Sequence, residues 1–383
     1  MANTLTEVIP KLLAGGLLAL RERAVMPRLV NRDFDSLAAQ KGDVVNIPIS
    51  ASISTRDVTP AVTQAANQDT TPTTVAVTLD QWKEATFQMS DKDWLEAQEG
   101  FMPKQSLEAI KSLANTVDSF LLGKYTGIYA AAGTAGTTPL GTDLLQIASG
   151  RALLNTGLAE LDDRSVVLDV NAEAAAIALG NFVQAEQAGT DETIRRGNIG
   201  FKLGMDWFLD QNVPTHQNGT SWTGVKWLMV ATISGTGGDS TLTVMNTDAT
   251  GTIAIGDLFT INADAQQYAI TAAVASVSAS AVTVIAFTPS LAATYASGVA
   301  LSVIATHVVN LIFHRDAFVL ASRPLGGAGI DSLGNRFAAA TDPVSGLSLR
   351  LEVSREYKQT TFAYDILYGG ALVRARLATR LLG

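Results

Sequence analysis

The sequence predicts an α+β fold: a mixed body that carries a long projecting hairpin and has a small β-barrel or sandwich inserted into it. Three observations predict it. Apolar residues alternate at Val45, Ile47 and Ile49 and again at Val75, Val77 and Leu79, the period of half-buried strands, on either side of a polar run from Ser50 to Thr74. Leu107, Ile110, Leu113, Val117, Phe120 and Leu121 recur at helical spacing and form one apolar stripe. From Trp227 to Thr306 there is no Lys or Arg, and Thr, Ser, Val and Ala dominate.

Composition sets bounds on function. A chain of 383 residues can bury two or three proper cores. Hydrophobic content of 47% with only 16% charge describes an ordered protein. Without cysteine there is no disulfide framework and no thiolate metal site. A net charge of −9 opposes any surface that clamps nucleic acid by counterion release. Glu7 and Pro10 interrupt the start of the chain, which therefore does not read as a signal peptide, and no run is apolar for the ~18 residues of a membrane span.

In chain order, Thr4 to about Ala24 reads as an amphipathic helix. Leu5, Val8, Ile9, Leu12 and Leu13 lie on one face, and the basic residues Arg21, Arg23 and Arg28 follow. Two readings stand: an arm that grips a partner, or a helix docked on its own core. The hairpin from Asp43 to Ser90, whose single return strand is expected to run from Val75, Val77 and Leu79 on through Trp82, Phe87 and Met89, carries only Ile53, Val58 and Val62 as larger apolar groups between its strands, with Arg56 among them. A lone hairpin is marginal in water, so it is expected to lie on another surface, such as a neighbouring copy. The plainer reading is a disordered surface loop.

A short helix is expected from Ser90, with Asp93 reaching back towards its start, and a long helix from Pro103 to Lys124. Ala130 to Thr142 is a small-residue linker and a candidate boundary. Then come a helix at Asp143–Asn155, a buried strand at Ser165–Val170 and a helix at Ala172–Leu179, an α/β alternation. Short strands are expected at Leu228–Ile233, Thr241–Met245, Leu258–Ile261, Tyr268–Ala273, Val282–Phe287 and Val299–Ile304, separated by Gly/Asn/Asp turns. The mixed style resumes with a strand at Val308–Phe313 and a helix or turn at His314–Phe318. Strands follow at Leu347–Val353 and Thr361–Leu367. Arg374, Arg376 and Arg380 near the end read as a solvated face.

Chemistry-bearing motifs are absent. His216, His307 and His314 lie too far apart in sequence for a local zinc signature, and no nucleophile elbow, phosphate loop or dinucleotide fingerprint occurs. The Gly-rich Gly235–Ser240 lacks the Lys of a phosphate loop and reads as a turn. Asp162 and Asp163 have no further carboxylate at ligand spacing, and Asn218-Gly219-Thr220 matches the glycosylation pattern without a secretory context. No catalytic residue, cofactor site or metal site is assigned.

Several segments taken together resemble the major capsid proteins of tailed bacteriophages, most nearly the short-tailed-phage coat proteins with an inserted β domain. They are RRGNIGFKLGMDWFLDQNVPTHQNGT (Arg195–Thr220), GDLFTINADAQQYAIT (Gly256–Thr271), FHRDAFVLASRPL (Phe313–Leu325), SGLSLRLE (Ser345–Glu352) and YDILYGGALVRARLATRL (Tyr364–Leu381), with a similar opening MANTLTEVIPKLLAGGLLALRE. The resemblance implies the Hong Kong-phage-type fold. It assigns 1–35 to an N-terminal arm, 36–90 to an E-loop, 91–135 to a peripheral domain with a spine helix, and 136–226 to an axial domain. It assigns 227–306 to the insert, 307–343 to the axial return, and 344–383 to strands returning to the peripheral domain. It implies a shell that self-assembles from hexamers and pentamers around double-stranded DNA, in the virion, after assembly in the host cytoplasm. Subunit contacts are expected at Leu5, Val8, Leu12, Arg21, Arg23, Ile53, Arg56, Val58 and Val62.

Two departures refine this. Ser50 to Thr74 contains no Lys, so covalent cross-linking through an E-loop tip is not expected and noncovalent locking is. No charged coiled-coil segment precedes the arm, so a separate scaffolding protein is expected beside the portal. A nanocompartment shell on the same fold is the alternative, with a surface-layer or adhesin subunit behind it.

Overall fold

The computed structural model describes residues 24–34, 44–49, 53, 55, 57, 72–92, 101–184, 192–220, 227–229, 237–246, 251–261, 264–277, 282–296, 298–323 and 336–383. The chain forms two compact units: Met1–Arg21, Arg32–Leu113 and Leu320–Val373 make the first, and Glu22–Asn31, Ala114–Val319 and Arg374–Gly383 the second. The division falls inside the long helix. Most of the expected N-terminal helix and of the helix at Ser90 lies outside the described residues.

The first unit is built on a five-stranded sheet. Gln359–Leu372 is its axis, flanked by Ser348–Glu356 on one side and, on the other, by Gln81–Ser90 and then Phe318–Ser322; Arg336–Thr341 extends it past Ser348–Glu356. Leu349, Leu351, Tyr364 and Ile366 are buried on it, and Phe87 stacks on Phe362 with ring centroids 5.2 Å apart. The long helix, Phe101–Leu122, starts two residues before Pro103, which is tolerated in the first turn because its missing N–H has no intrahelical partner there. Its stripe is the expected one: Ile110, Leu113, Val117 and Leu121 are buried.

The hairpin departs from expectation in two ways. Val44–Ile49 pairs antiparallel with Thr73–Thr78, Val45 opposite Val77 and Ile47 opposite Val75. The return, however, is two strands and not one. It breaks at Leu79–Asp80, and Gln81–Ser90 leaves to pair over ten residues with Gln359–Tyr368. The base of the hairpin is also covered within its own unit, since Val45, Ile47 and Val77 are at most 4% exposed. Gly369 permits this crossing: a Cβ there would sit 2.2 Å from the Thr78 carbonyl oxygen. A strand pattern in one segment reports that a face is buried, not which neighbour buries it.

The second unit holds a seven-stranded sheet in the order Ala131–Gly133, Ala378–Leu382, His307–His314, Arg164–Leu168, Met205–Leu209 and Phe201–Lys202, with Thr215–His216 paired to the start of His307–His314. Leu145–Thr156 and Val170–Ala178 lie on it, and Ile147, Leu154, Ala172 and Ala176 join Val166, Leu168, Ile312 and Trp207 in one core. Gly150 lets the first helix approach closely, because a Cβ there would meet the Ile312 Cδ1 at 2.4 Å. Asp169 caps the second helix by accepting from the amides of Asn171 (3.0 Å) and Ala172 (3.2 Å). Two expectations are corrected. The supposed linker contains a strand, Ala131–Gly133, whose small residues reflect tight packing and not freedom. The last strand, Ala378–Leu382, joins this sheet and does not return with Ser348–Leu372 to the other one.

Between Thr215–His216 and His307–His314 the chain closes a barrel in the order Thr241–Asn246, Val282–Thr288, Gln267–Ile270, Leu258–Ile261, Ala300–Val303 and Trp227–Met229, all antiparallel. Of the two architectures the sequence left open, the barrel is the one formed. Phe259, Tyr268 and Phe287 meet at its centre with ring centroids 5.4–5.5 Å apart. Tyr268 and Tyr295 both donate to Asp264 Oδ2, at 2.7 and 2.5 Å. Burial opposes ionisation of Asp264, yet these hydroxyls and the amides of Gln266 and Ala265 hold its carboxyl below the usual range.

Candidate functional site

Of the residues expected at subunit contacts, Ile53 alone falls among those described, and it is 68% exposed. Leu5, Val8, Leu12, Arg21, Arg23, Arg56, Val58 and Val62 lie outside the described residues. In the second unit the most exposed apolar side chains are Leu158, Phe201, Leu145 and Leu161, from 78% to 66%. Leu158 and Leu203 hold φ near +57° for local reasons: Leu158 closes the end of Leu145–Thr156, where its amide donates to the Asn155 carbonyl and that of Ala159 to the Leu154 carbonyl, both at 3.0 Å, and Leu203 opens the two-residue turn between Phe201–Lys202 and Met205–Leu209.

Polar side chains converge where the barrel meets the seven-stranded sheet. The apolar part of the joint is Leu258 and Ala269 of the barrel against Ala131 and Leu382 of the sheet. Beside it Asp257, in the turn that enters Leu258–Ile261, is fully buried. Its carboxylate accepts from the amides of Ala254 (2.8 Å) and Gly219 (3.2 Å) and from His216 Nε2 (2.9 Å). The other ring nitrogen, His216 Nδ1, is hydrogen-bonded to the Tyr125 hydroxyl at 2.9 Å. Arg380 is also fully buried. It donates from Nη1 to the Gly256 carbonyl (2.8 Å) and from Nη2 to that of Thr126 (3.3 Å), and its guanidinium lies 5.0 Å from the Tyr125 ring centroid. His307, directly opposite His216 in the strand register, stands with its ring 5.3 Å from that of His216.

The order Asp257–His216–Tyr125 is that of a proton relay, but its environment works against a nucleophile. Burial raises the Tyr125 phenol above its ordinary value, with Arg380 pulling it down and Asp257 pushing it up. Burial likewise takes His307 down to about 4, with the positive charge of Arg380 adding to the effect. His307 is therefore neutral near pH 7, donating from Nδ1 to the Ala305 carbonyl at 2.8 Å. No group of three or more His, Cys, Asp or Glu side chains able to hold a metal occurs among the described residues. Such a cluster does what its hydrogen bonds show: it ties a turn of the barrel to the strands Thr215–His216 and Ala378–Leu382 and to the turn after the long helix.

Sequence reasoning missed this joint. It set His216 and His307 aside as too distant in sequence, and sheet pairing brings them together. It read Arg380 as solvated, whereas Arg380 is fully buried. The overlooked signal was its setting, a single Arg between Thr379 and Leu381 in an otherwise apolar strand end, where a charge is retained only if backbone carbonyls receive it.

The chain is similar to solved structures over nearly its whole length. A chain of Mycobacterium phage Che8 superposes with a TM-score of 0.54 and 14% identity, covering 94% of this chain and 90% of that one. The capsid structure of cyanophage P-SCSP1u gives 0.48 and 12%, covering 94% and 88%, and a virus-like particle from Pyrococcus furiosus gives 0.45 and 7%, covering 98% and 99%. The Che8 likeness shows the fold: it is the Hong Kong-phage-type α+β fold that the sequence segments implied. No family model and no curated protein matches the sequence.

Proposed function

We propose that this chain is the major capsid protein of a tailed phage and that its work is geometric: identical copies close into rings and then into an icosahedral shell around double-stranded DNA. The carrying observation is the shared fold with a phage chain across 94% of this one, reached independently of the sequence segments that resemble phage coat proteins. Exposed Ile53, together with Leu158 and Phe201, supports the reading, since such side chains gain cover when copies meet. The further partners are a separate scaffolding protein and a portal. Packaged DNA is enclosed without sequence-specific contact, in keeping with a net charge of −9, and assembly takes place in the host cytoplasm.

Electron microscopy of the concentrated protein tests this. Closed shells are expected, and a variant lacking Ile53 to Asp69 should stay soluble but form none. A compact monomer at high concentration overturns the proposal. Particles loaded with a cargo protein in place of DNA would replace it with the nanocompartment reading.

A further inference from the structure

The one Asn-Gly pair in the sequence, Asn218-Gly219, lies in the joint between the barrel and the seven-stranded sheet, just after Thr215–His216. An asparagine followed by glycine is chemically labile, because a backbone amide with no side chain beside it reaches the asparagine carbonyl with little hindrance. Here the fold holds both reacting groups. The Gly219 amide donates to the Asp257 carboxylate, at 3.2 Å to Oδ2. Asn218 Nδ2 donates to the Ile304 carbonyl, and the Asn218 amide donates to Thr306 Oγ1 at 3.2 Å. The next residue is clamped as well: the amides of Thr220 and Thr252 each donate to the other's hydroxyl, at 3.3 and 3.1 Å.

Packing demands the glycine. A Cβ on Gly219 would lie 2.2 Å from the Thr252 carbonyl oxygen and 2.7 Å from Ile253 Cα, both of them backbone. The asparagine is demanded in turn, since the Ile304 carbonyl takes an N–H from it.

We propose that Asn218 is a conditional modification site, inert while the joint is closed and converted to aspartate or isoaspartate once the joint opens, after which the joint cannot close as before. Opening frees the Gly219 amide from Asp257. Its nitrogen gives up a proton to solvent and attacks Asn218 Cγ. The Cγ–Nδ2 bond breaks, ammonia leaves, and a five-membered imide remains. Water then adds to one of the two imide carbonyls. Breaking the new N–Cγ bond gives aspartate; breaking the original peptide bond gives isoaspartate, with the backbone rerouted through Cγ. One water is consumed and one ammonia released.

The closed joint opposes each step. The buried Asp257 carboxylate keeps the proton on the Gly219 nitrogen, because a second negative charge beside it is costly away from water. The Ile304 carbonyl and the Thr306 hydroxyl keep Asn218 from turning into the geometry of attack. The products then fit badly. A carboxylate at position 218 offers no N–H to the Ile304 carbonyl and stands one residue from the amide that Asp257 holds. Isoaspartate lengthens the backbone beside Thr252, where even a single Cβ finds no room. The inference stands whether or not the chain builds a shell.

Peptide mass spectrometry of the full-length subunit, incubated in heavy-oxygen water so that each conversion carries a label, tests it. The folded chain should convert at least about tenfold more slowly than the same chain in urea. Hydrogen exchange at the Gly219 amide should be slowed by the same factor to within about threefold, since one opening releases that amide for both reactions. Asp257→Ala should raise both rates about tenfold or more, and Thr306→Val, at an exposed position, should raise the conversion about two- to tenfold. Asn218→Asp, which is the aspartate product, should raise exchange at Gly219 about tenfold. Four results would each overturn the proposal: conversion as fast in the folded chain as in urea; protection of Gly219 from exchange far above its protection from conversion; a conversion rate that neither Asp257→Ala nor Thr306→Val changes; and unchanged Gly219 exchange in Asn218→Asp.

Discussion

Replacing Asp257 with alanine removes the hub of the joint between barrel and sheet. The carboxylate is fully buried, and its donors include the amide of Ala254 at 2.8 Å, that of Gly219 at 3.2 Å and His216 Nε2 at 2.9 Å. A buried donor left without its acceptor costs about 1–3 kcal/mol. The three share one acceptor and relax together, so a loss of about 3–5 kcal/mol is expected, comparable to breaking a buried charge pair. That is a large part of the ~5–15 kcal/mol available to a domain. Urea unfolding of the dissociated subunit measures it, with Trp207 in the sheet core and the barrel tyrosines as separate probes. Asp257→Asn keeps one acceptor oxygen and should fall between the two. Asp162→Ala, at an exposed site, should stay within about 0.5 kcal/mol of the parent. If Asp257→Ala costs no more than Asp162→Ala, the joint does not hold the barrel and the account of it is wrong.

Two further outcomes are expected. Gly369→Ala places a Cβ 2.2 Å from the Thr78 carbonyl oxygen, a backbone obstacle that no rotamer change relieves, and should destabilise the first unit by about 1–3 kcal/mol in thermal unfolding; a neutral result would mean the hairpin base does not cross there. Tyr295→Phe removes a donor from Asp264 and should cost the barrel about 1–3 kcal/mol near pH 7. Because the folded state holds Asp264 below its ordinary range, its contribution is present above the unfolded value and fades as the solution is acidified through the folded one. The difference between Tyr295→Phe and the parent should shrink over that acid range, and a pH-independent difference would contradict the assignment.

Much of the fold was legible because it depends on local spacing. The stripe on Phe101–Leu122 is a run of helical intervals, and Asp118 could have been noticed in it, since it stands four residues after Ala114 and three before Leu121 on the buried face. Leu258–Ile261 was placed to the residue, and the composition change at Trp227 coincides with the first strand of the barrel. The hairpin was half legible: both strands were found, but the break at Leu79–Asp80 has no local signature, because Trp82, Phe87 and Met89 continue the same apolar character on a different sheet. The interface residues other than Ile53 fall outside the described residues.

By itself, then, the sequence determined the periodicities: which faces are apolar, where a run of short strands interrupts the mixed body, and which motifs of catalysis are missing. The tertiary structure alone decided the partners. Only strand pairing sets His307 opposite His216, only the seating of the barrel on the sheet brings Gly256 to Arg380, and only the path of Ala24–Asn31 sets the amides of Val25 and Met26 on Asp118. The reason is physical. Apolar burial needs only a face and leaves its mark at fixed intervals, whereas a buried charge needs a particular donor or acceptor, which the fold supplies from residues tens to hundreds of positions away.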